Sequence, residues 1–131
     1  MIRLYYIIQD IPFNIKMFFQ KLFRGWSDKE IWNLDNTIVK FVVPRLKVLR
    51  EETIGYPFSD ECKTFEDWEK MLDEMIFGLE FLNQRDEWYE KNVMFKSGKD
   101  KEKALEKFKS MLDRAEKGRI LFGKYLPNLW W

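Results

Sequence analysis

Histidine does not occur in this chain of 131 residues, and cysteine occurs once, at Cys62. The first absence excludes histidine-based triads, histidine-ligated zinc and a histidine pH switch. The second excludes an intrachain disulfide and fits a reducing, cytoplasmic setting. Cys62 lies in a polar stretch with no histidine to activate it, so it reads as an incidental loop thiol. An excess of one charge is also missing: 23 basic and 22 acidic side chains leave a formal charge of +1. No field for nucleic acid is expected from that balance, and no nucleic-acid partner. Long apolar runs are missing too. Residues 1–23 are interrupted by Arg3, Asp10, Lys16 and Lys21, which argues against a membrane span and a secretory signal. Phosphate-loop, dinucleotide-fold and nucleophile-elbow motifs are absent. Lys96-Ser-Gly-Lys-Asp-Lys101 lacks the first glycine and the preceding strand of a phosphate loop.

The composition is otherwise that of a folded protein, 46% hydrophobic and 34% charged, of a size that fits a single domain over residues 1–131. Its distinctive feature is aromatic content, with 12 Phe, 6 Trp and 5 Tyr. Such side chains dominate both cores and interfaces.

Spacing predicts helices nearly throughout. Residues 2–9 are compatible with either a short strand or a first helical turn. Asp10 and Pro12 then open a helix that ends at Gly25, with Ile11, Ile15, Phe18, Phe19 and Leu22 on one face. Ser27 and Glu30 form a capping-box pair ahead of a helix with Ile31, Leu34, Ile38, Val42 and Leu49 on its stripe. Pro44 predicts a kink near Lys40 and Phe41, or two shorter helices. A third helix begins at Thr64, with Asp67 as capping partner. Phe65, Trp68, Met71, Leu72, Met75, Ile76, Leu79 and Leu82 recur on its face, with a break between Asn83 and Asp86. Asp100 caps a last helix with a stripe of Ala104, Leu105, Phe108, Met111, Leu112 and Ala115, weakened at its end by Gly118, Gly123 and Pro127. The expected fold is an all-α single-domain bundle of four to five helices.

Asp35 falls on or beside the buried stripe of its helix, where a carboxylate needs a partner or a cleft. Arg45 faces similarly, and Trp26, Trp32 and Tyr56 rim the same region. Together the five suit a nucleotide-like or other anionic ligand, with arginine on the charge and aromatic rings on the base. An alternative comes from Glu66, Glu69, Glu87 and Glu90. Two such pairs on antiparallel helices can hold Mg²⁺ through oxygen ligands, an arrangement that resembles the all-α nucleotide pyrophosphatases. Glu90 stands where that family usually has Asp, and solvated helix faces give the same spacing. No other metal or cofactor is indicated. The helix from Asp10 to Arg24 also has the form of a membrane-surface helix, with Phe18, Phe19 and Phe23 inserted, although a core-facing helix carries the same pattern. Trp130 and Trp131 belong either against the bundle or in an oligomer interface.

The run Phe19-Gln-Lys-Leu-Phe-Arg-Gly-Trp-Ser-Asp-Lys-Glu-Ile-Trp-Asn-Leu-Asp35 continues as Pro44-Arg-Leu-Lys47, Gly55-Tyr-Pro57, Trp68 and Leu72-Asp-Glu-Met-Ile76. In this ordered set the chain resembles small proteins of tailed bacteriophages over residues 5–82. The resemblance implies a phage origin and expression in the host bacterial cytoplasm, and it supplies no catalytic residue. It favours a non-enzymatic accessory protein that binds, either inhibiting a host anti-phage defence factor or sequestering its nucleotide-type signal. Such a protein is expected to be a homo-oligomer. A virion component is the remaining alternative.

Overall fold

A computed structural model of the chain describes the backbone of residues 2–130 and the side chains of residues 12–130. It is all-helical, with α1 at Ile2–Arg24, α2 at Asp28–Trp32, α3 at Leu34–Glu52, α4 at Phe65–Tyr89 and α5 at Gly98–Tyr125. A π turn, Glu90–Met94, extends α4, and a 3-10 turn, Leu126–Asn128, follows α5. No strand occurs among the described residues, and no helix among them is long and apolar enough to cross a membrane. The chain divides into two compact units, Met1–Thr37 and Ile38–Trp131.

In the first unit α1 starts earlier than expected. Residues 2–9 are helical rather than a strand, because their apolar positions already follow the helical spacing that continues to Leu22. Pro12 consequently lies inside the helix instead of its first turn and forgoes one backbone bond there. Gly25 closes α1 at a φ of 83°, a left-handed conformation that glycine adopts without strain. The Ser27 amide and hydroxyl both donate to Glu30 Oε2, at 2.6 and 3.1 Å, starting α2 where the capping signal predicts.

The break then falls at Asn33, not at Pro44. Asn33 leaves the helical region at φ −123°, ψ 56°, and the Thr37 hydroxyl donates to the Glu30 carbonyl at 3.0 Å. That bond satisfies a carbonyl that a continuous helix would have used itself. The α3 helix runs through Pro44, whose ring lies on the solvent side.

The second unit is a three-helix core. The buried stripe of α3 is Val39, Val43, Leu46 and Leu49; of the expected positions Leu49 is buried, Val42 is half-buried against the same cluster, and Ile38 is exposed. It meets Trp68, Met71, Leu72, Met75, Ile76 and Leu79 of α4, with Cys62 and Tyr125 in the same cluster. Cys62 is therefore a core residue rather than an incidental loop thiol, and burial pushes its thiol pKa up, with the Asp67 carboxylate adding to the effect. Arg50 ties α3 to α4 by reaching Glu69 and Asp73, each at 2.9 Å.

The expected break between Asn83 and Asp86 does not occur, because an aromatic cluster carries α4 onward against α5. Trp88 stacks on Phe108 with centroids 5.6 Å apart, and Phe81 and Tyr89 meet the same ring. Gly118 does not weaken α5 but lets it touch α4. A Cβ there would lie 2.1 Å from the Glu74 carbonyl oxygen, and one at Gly78 would lie 2.6 Å from that of Ala115. Ser97, rather than Asp100, precedes the first turn of α5.

Candidate functional site

Trp26, Trp32 and Asp35 belong to the first unit, whereas Arg45 and Tyr56 belong to the second. In the first unit each indole already has a neighbour. The Arg24 guanidinium lies 3.5 Å from the Trp26 ring centroid and donates to the Trp26 carbonyl. Trp32 stacks on Phe13 at 5.8 Å with nearly parallel planes. Asp35 is exposed in the first turn of α3, a position the helix dipole favours for a carboxylate, so it is not a buried charge in need of a partner.

The second unit builds two adjoining hollows. The larger, about 420 Å³, is lined by Phe41, Val42, Arg45, Leu46, Leu49, Phe122, Leu126, Leu129 and Trp130. Its walls come from α3 and from the end of α5 with the turn that follows. The smaller, about 300 Å³, is lined by Thr53, Ile54, Gly55, Tyr56, Pro57, Trp68, Asn128 and Trp130. Trp130 is shared by both, and it is 74% exposed. Arg45 and Tyr56 thus line neighbouring hollows with one indole in common.

Each wall is held by identifiable bonds. The Arg45 guanidinium lies 3.8 Å from the Phe41 ring centroid and donates to the Phe41 carbonyl at 2.7 Å. That fixes a cation at the edge of an apolar groove. The loop carrying Tyr56 is pinned at both ends. Thr53 donates to the Gly55 carbonyl at 3.0 Å, and the Ser59 and Tyr125 hydroxyls share a hydrogen bond of 2.7 Å. Tyr125 and Lys124 also donate to Glu61 Oε2, at 3.1 and 2.6 Å. The lysine first, and then the tyrosine hydroxyl, hold the Glu61 carboxyl below its ordinary range.

The four glutamates of the metal-dependent alternative do not converge. Glu66 and Glu69 stand at the start of α4, and Glu87 and Glu90 lie at its far end, about 30 Å away along one continuous helix. Glu66 pairs with Lys70, Glu69 with Arg50 and Glu87 with Lys91. Among the described residues no group of three or more acidic or cysteine side chains is arranged to hold a metal ion. The reason is the unbroken α4, which removes the antiparallel turn that would have brought the pairs together.

Of the residues lining the two hollows, only Arg45 and Tyr56 are expected at a site from the sequence; Phe41, Phe122, Leu129 and Trp130 are among those that are not. The sequence alone places Trp130 either against the bundle or in an oligomer interface. The tight turn at Leu126–Asn128 places it beside α3, and no local spacing signals that. No protein family, curated protein or solved structure matches the chain.

Proposed function

We propose that this chain is a non-enzymatic binding protein, a phage accessory protein that engages a host defence factor through the groove between α3 and the end of α5. The observation that carries this reading is the pair of hollows sharing the exposed indole of Trp130, with Arg45 fixed on the rim. Tryptophan and arginine beside apolar pockets are the residues that dominate protein interfaces. Apolar walls with a single cation suit an amphipathic protein segment better than a polyphosphate, which needs several donors. Sequestration of a nucleotide-type signal is the second reading, with Arg45 on the phosphate and Tyr56 or Trp130 on the base.

Capture from host lysate with the full chain, followed by mass spectrometry, tests the proposal. A single host protein should be retained, and its affinity should fall by roughly thirtyfold or more in Trp130→Ala. Arg45→Ala should weaken it by a smaller factor. Equal retention by both variants overturns the groove as the binding surface. Native mass spectrometry that shows a small molecule released on denaturation, and lost in the same variants, moves the assignment to sequestration.

A further inference from the structure

Every described cation of α1 is already engaged on one side of that helix. Lys16 and Arg24 pair with Asp28 at 3.6 and 2.7 Å, and Lys21 pairs with Glu30 at 3.4 Å. Gln20 adds two hydrogen bonds to Asp28, and Met17 is buried on the same side. The other face is apolar and open. Ile15, Phe18, Phe19, Leu22 and Phe23 form a continuous stripe, with exposures from 49% to 82%.

The spacing of that stripe separates two kinds of partner. Ile15, Phe18 and Leu22 alternate steps of three and four, and the sequence carries the same alternation back through Ile11, Ile8 and Leu4. A repeat of 3.5 residues sustained over nearly three heptads is the seam of a helix that pairs with another helix. A helix lying on an anionic lipid surface instead needs free cations on its polar face. Here α2 has neutralised the described ones. The five exposed side chains present on the order of 600 Å² per copy, close to the roughly 800 Å² that each partner gives to a stable interface. A patch of that size is at the upper limit of what a monomer leaves to water.

We propose that the apolar face of α1 is the interface between two copies of this chain, paired helix against helix. The seam uses residues of the first unit alone, and the proposal stands whether or not the groove of the second unit binds a target.

Analytical ultracentrifugation of the full chain over a range of concentrations tests it, alongside the double variant Ile15→Gln, Leu22→Gln. Glutamine preserves helix propensity, so the variant alters the seam and not the helix. The intact chain should associate reversibly to a dimer, with the dissociation constant raised by about a hundredfold or more in the variant. Lys29→Gln, on the exposed side of α2, should leave the association unchanged. Flotation with phosphatidylcholine vesicles, and with vesicles containing phosphatidylglycerol, should leave the protein in solution. A chain that stays monomeric at every concentration overturns the proposal. So does association indifferent to the double variant, or flotation that the double variant abolishes, which would assign the face to a membrane.

Discussion

Trp68, Leu72, Met75, Val93 and Cys62 of the second unit are closed off from water, whereas the described apolar side chains of the first unit are open to it, Met17 apart. The first unit is held instead by a clasp of polar groups, in which Gln20, Arg24 and Lys16 converge on Asp28 and Ser27 on Glu30. The difference is physical. Burying a large apolar side chain contributes about 1.5–3 kcal/mol, while an exposed ion pair contributes at most about 1 kcal/mol. The second unit therefore carries the stability of the fold, and the first holds an apolar surface ready for something else.

Two leucines break or sharpen that contrast most directly. Leu72 is 0% exposed in the core, and Leu22 is 63% exposed on α1. Leu72→Ala should cost about 3–5 kcal/mol, the transfer term plus the cavity it leaves. Leu22→Ala should change the stability of the monomer by less than about 0.5 kcal/mol. Chemical denaturation at a concentration too low for self-association measures both. Equal losses at the two sites would show that the open face of α1 is already covered within one chain.

The glycines give the next largest effect. Alanine at Gly118 would place its Cβ 2.1 Å from the Glu74 carbonyl oxygen, a backbone atom that no rotamer change can move away. Gly118→Ala should therefore destabilise the protein by about 3 kcal/mol, through forced separation of α4 and α5. Gly123 lies in the same helix with nothing within 4 Å of its built Cβ. There the same substitution should stabilise by about 0.5–1 kcal/mol, since alanine restricts the unfolded chain and favours the helix. Thermal melts of the two variants settle it, and a loss at both positions would deny that α4 and α5 cross in backbone contact.

What the sequence made legible is what a few neighbouring residues decide. Gly25 ends α1, Ser27 and Glu30 start α2, and Thr64 and Asp67 exchange the bonds of a full capping box. The face of α4 from Trp68 to Leu79 was readable for the same reason, because its period is local. Legibility ends where a distant segment decides. Gly118 resembles a weak helix end until α4 crosses it. Ile38 of α3 is open to water while Val39 and Val43 are buried, because the side of α3 that faces α4 and Tyr125 is set by distant packing and not by its own spacing. The break before α3 comes at Asn33, where a threonine hydroxyl from the next helix takes a carbonyl. The site follows the same rule. Arg45 and Tyr56 were visible as chemistry, but the wall between their hollows, Trp130, is placed by a turn after α5 that no periodicity announces.

The smallest effect probes the polar clasp itself. The Arg24 guanidinium first, and then the Gln20 side chain, lower the Asp28 carboxyl from 3.8 to about 2. The Ser27 amide leads in holding Glu30 below its ordinary value, with Lys21 adding to the effect. A carboxyl whose pKa is lower in the folded than in the unfolded chain contributes stability above the unfolded value. That contribution is complete above about pH 3.8 and fades as the pH falls through about 2. Acidification across that window should loosen α1 from α2 without first disturbing Leu72 and Trp68, whose burial involves no charge. Carbon-detected NMR titration of the Asp28 carboxyl, followed together with the amides of residues 16–24, measures both events on one sample. Asp28→Asn should reduce the acid dependence at those amides to the part that Glu30 contributes through Lys21. An Asp28 that titrates at the ordinary carboxylate value with the amides unmoved would mean that apolar contact, and not the clasp, holds α1 to α2, and the contrast between the two units would narrow accordingly.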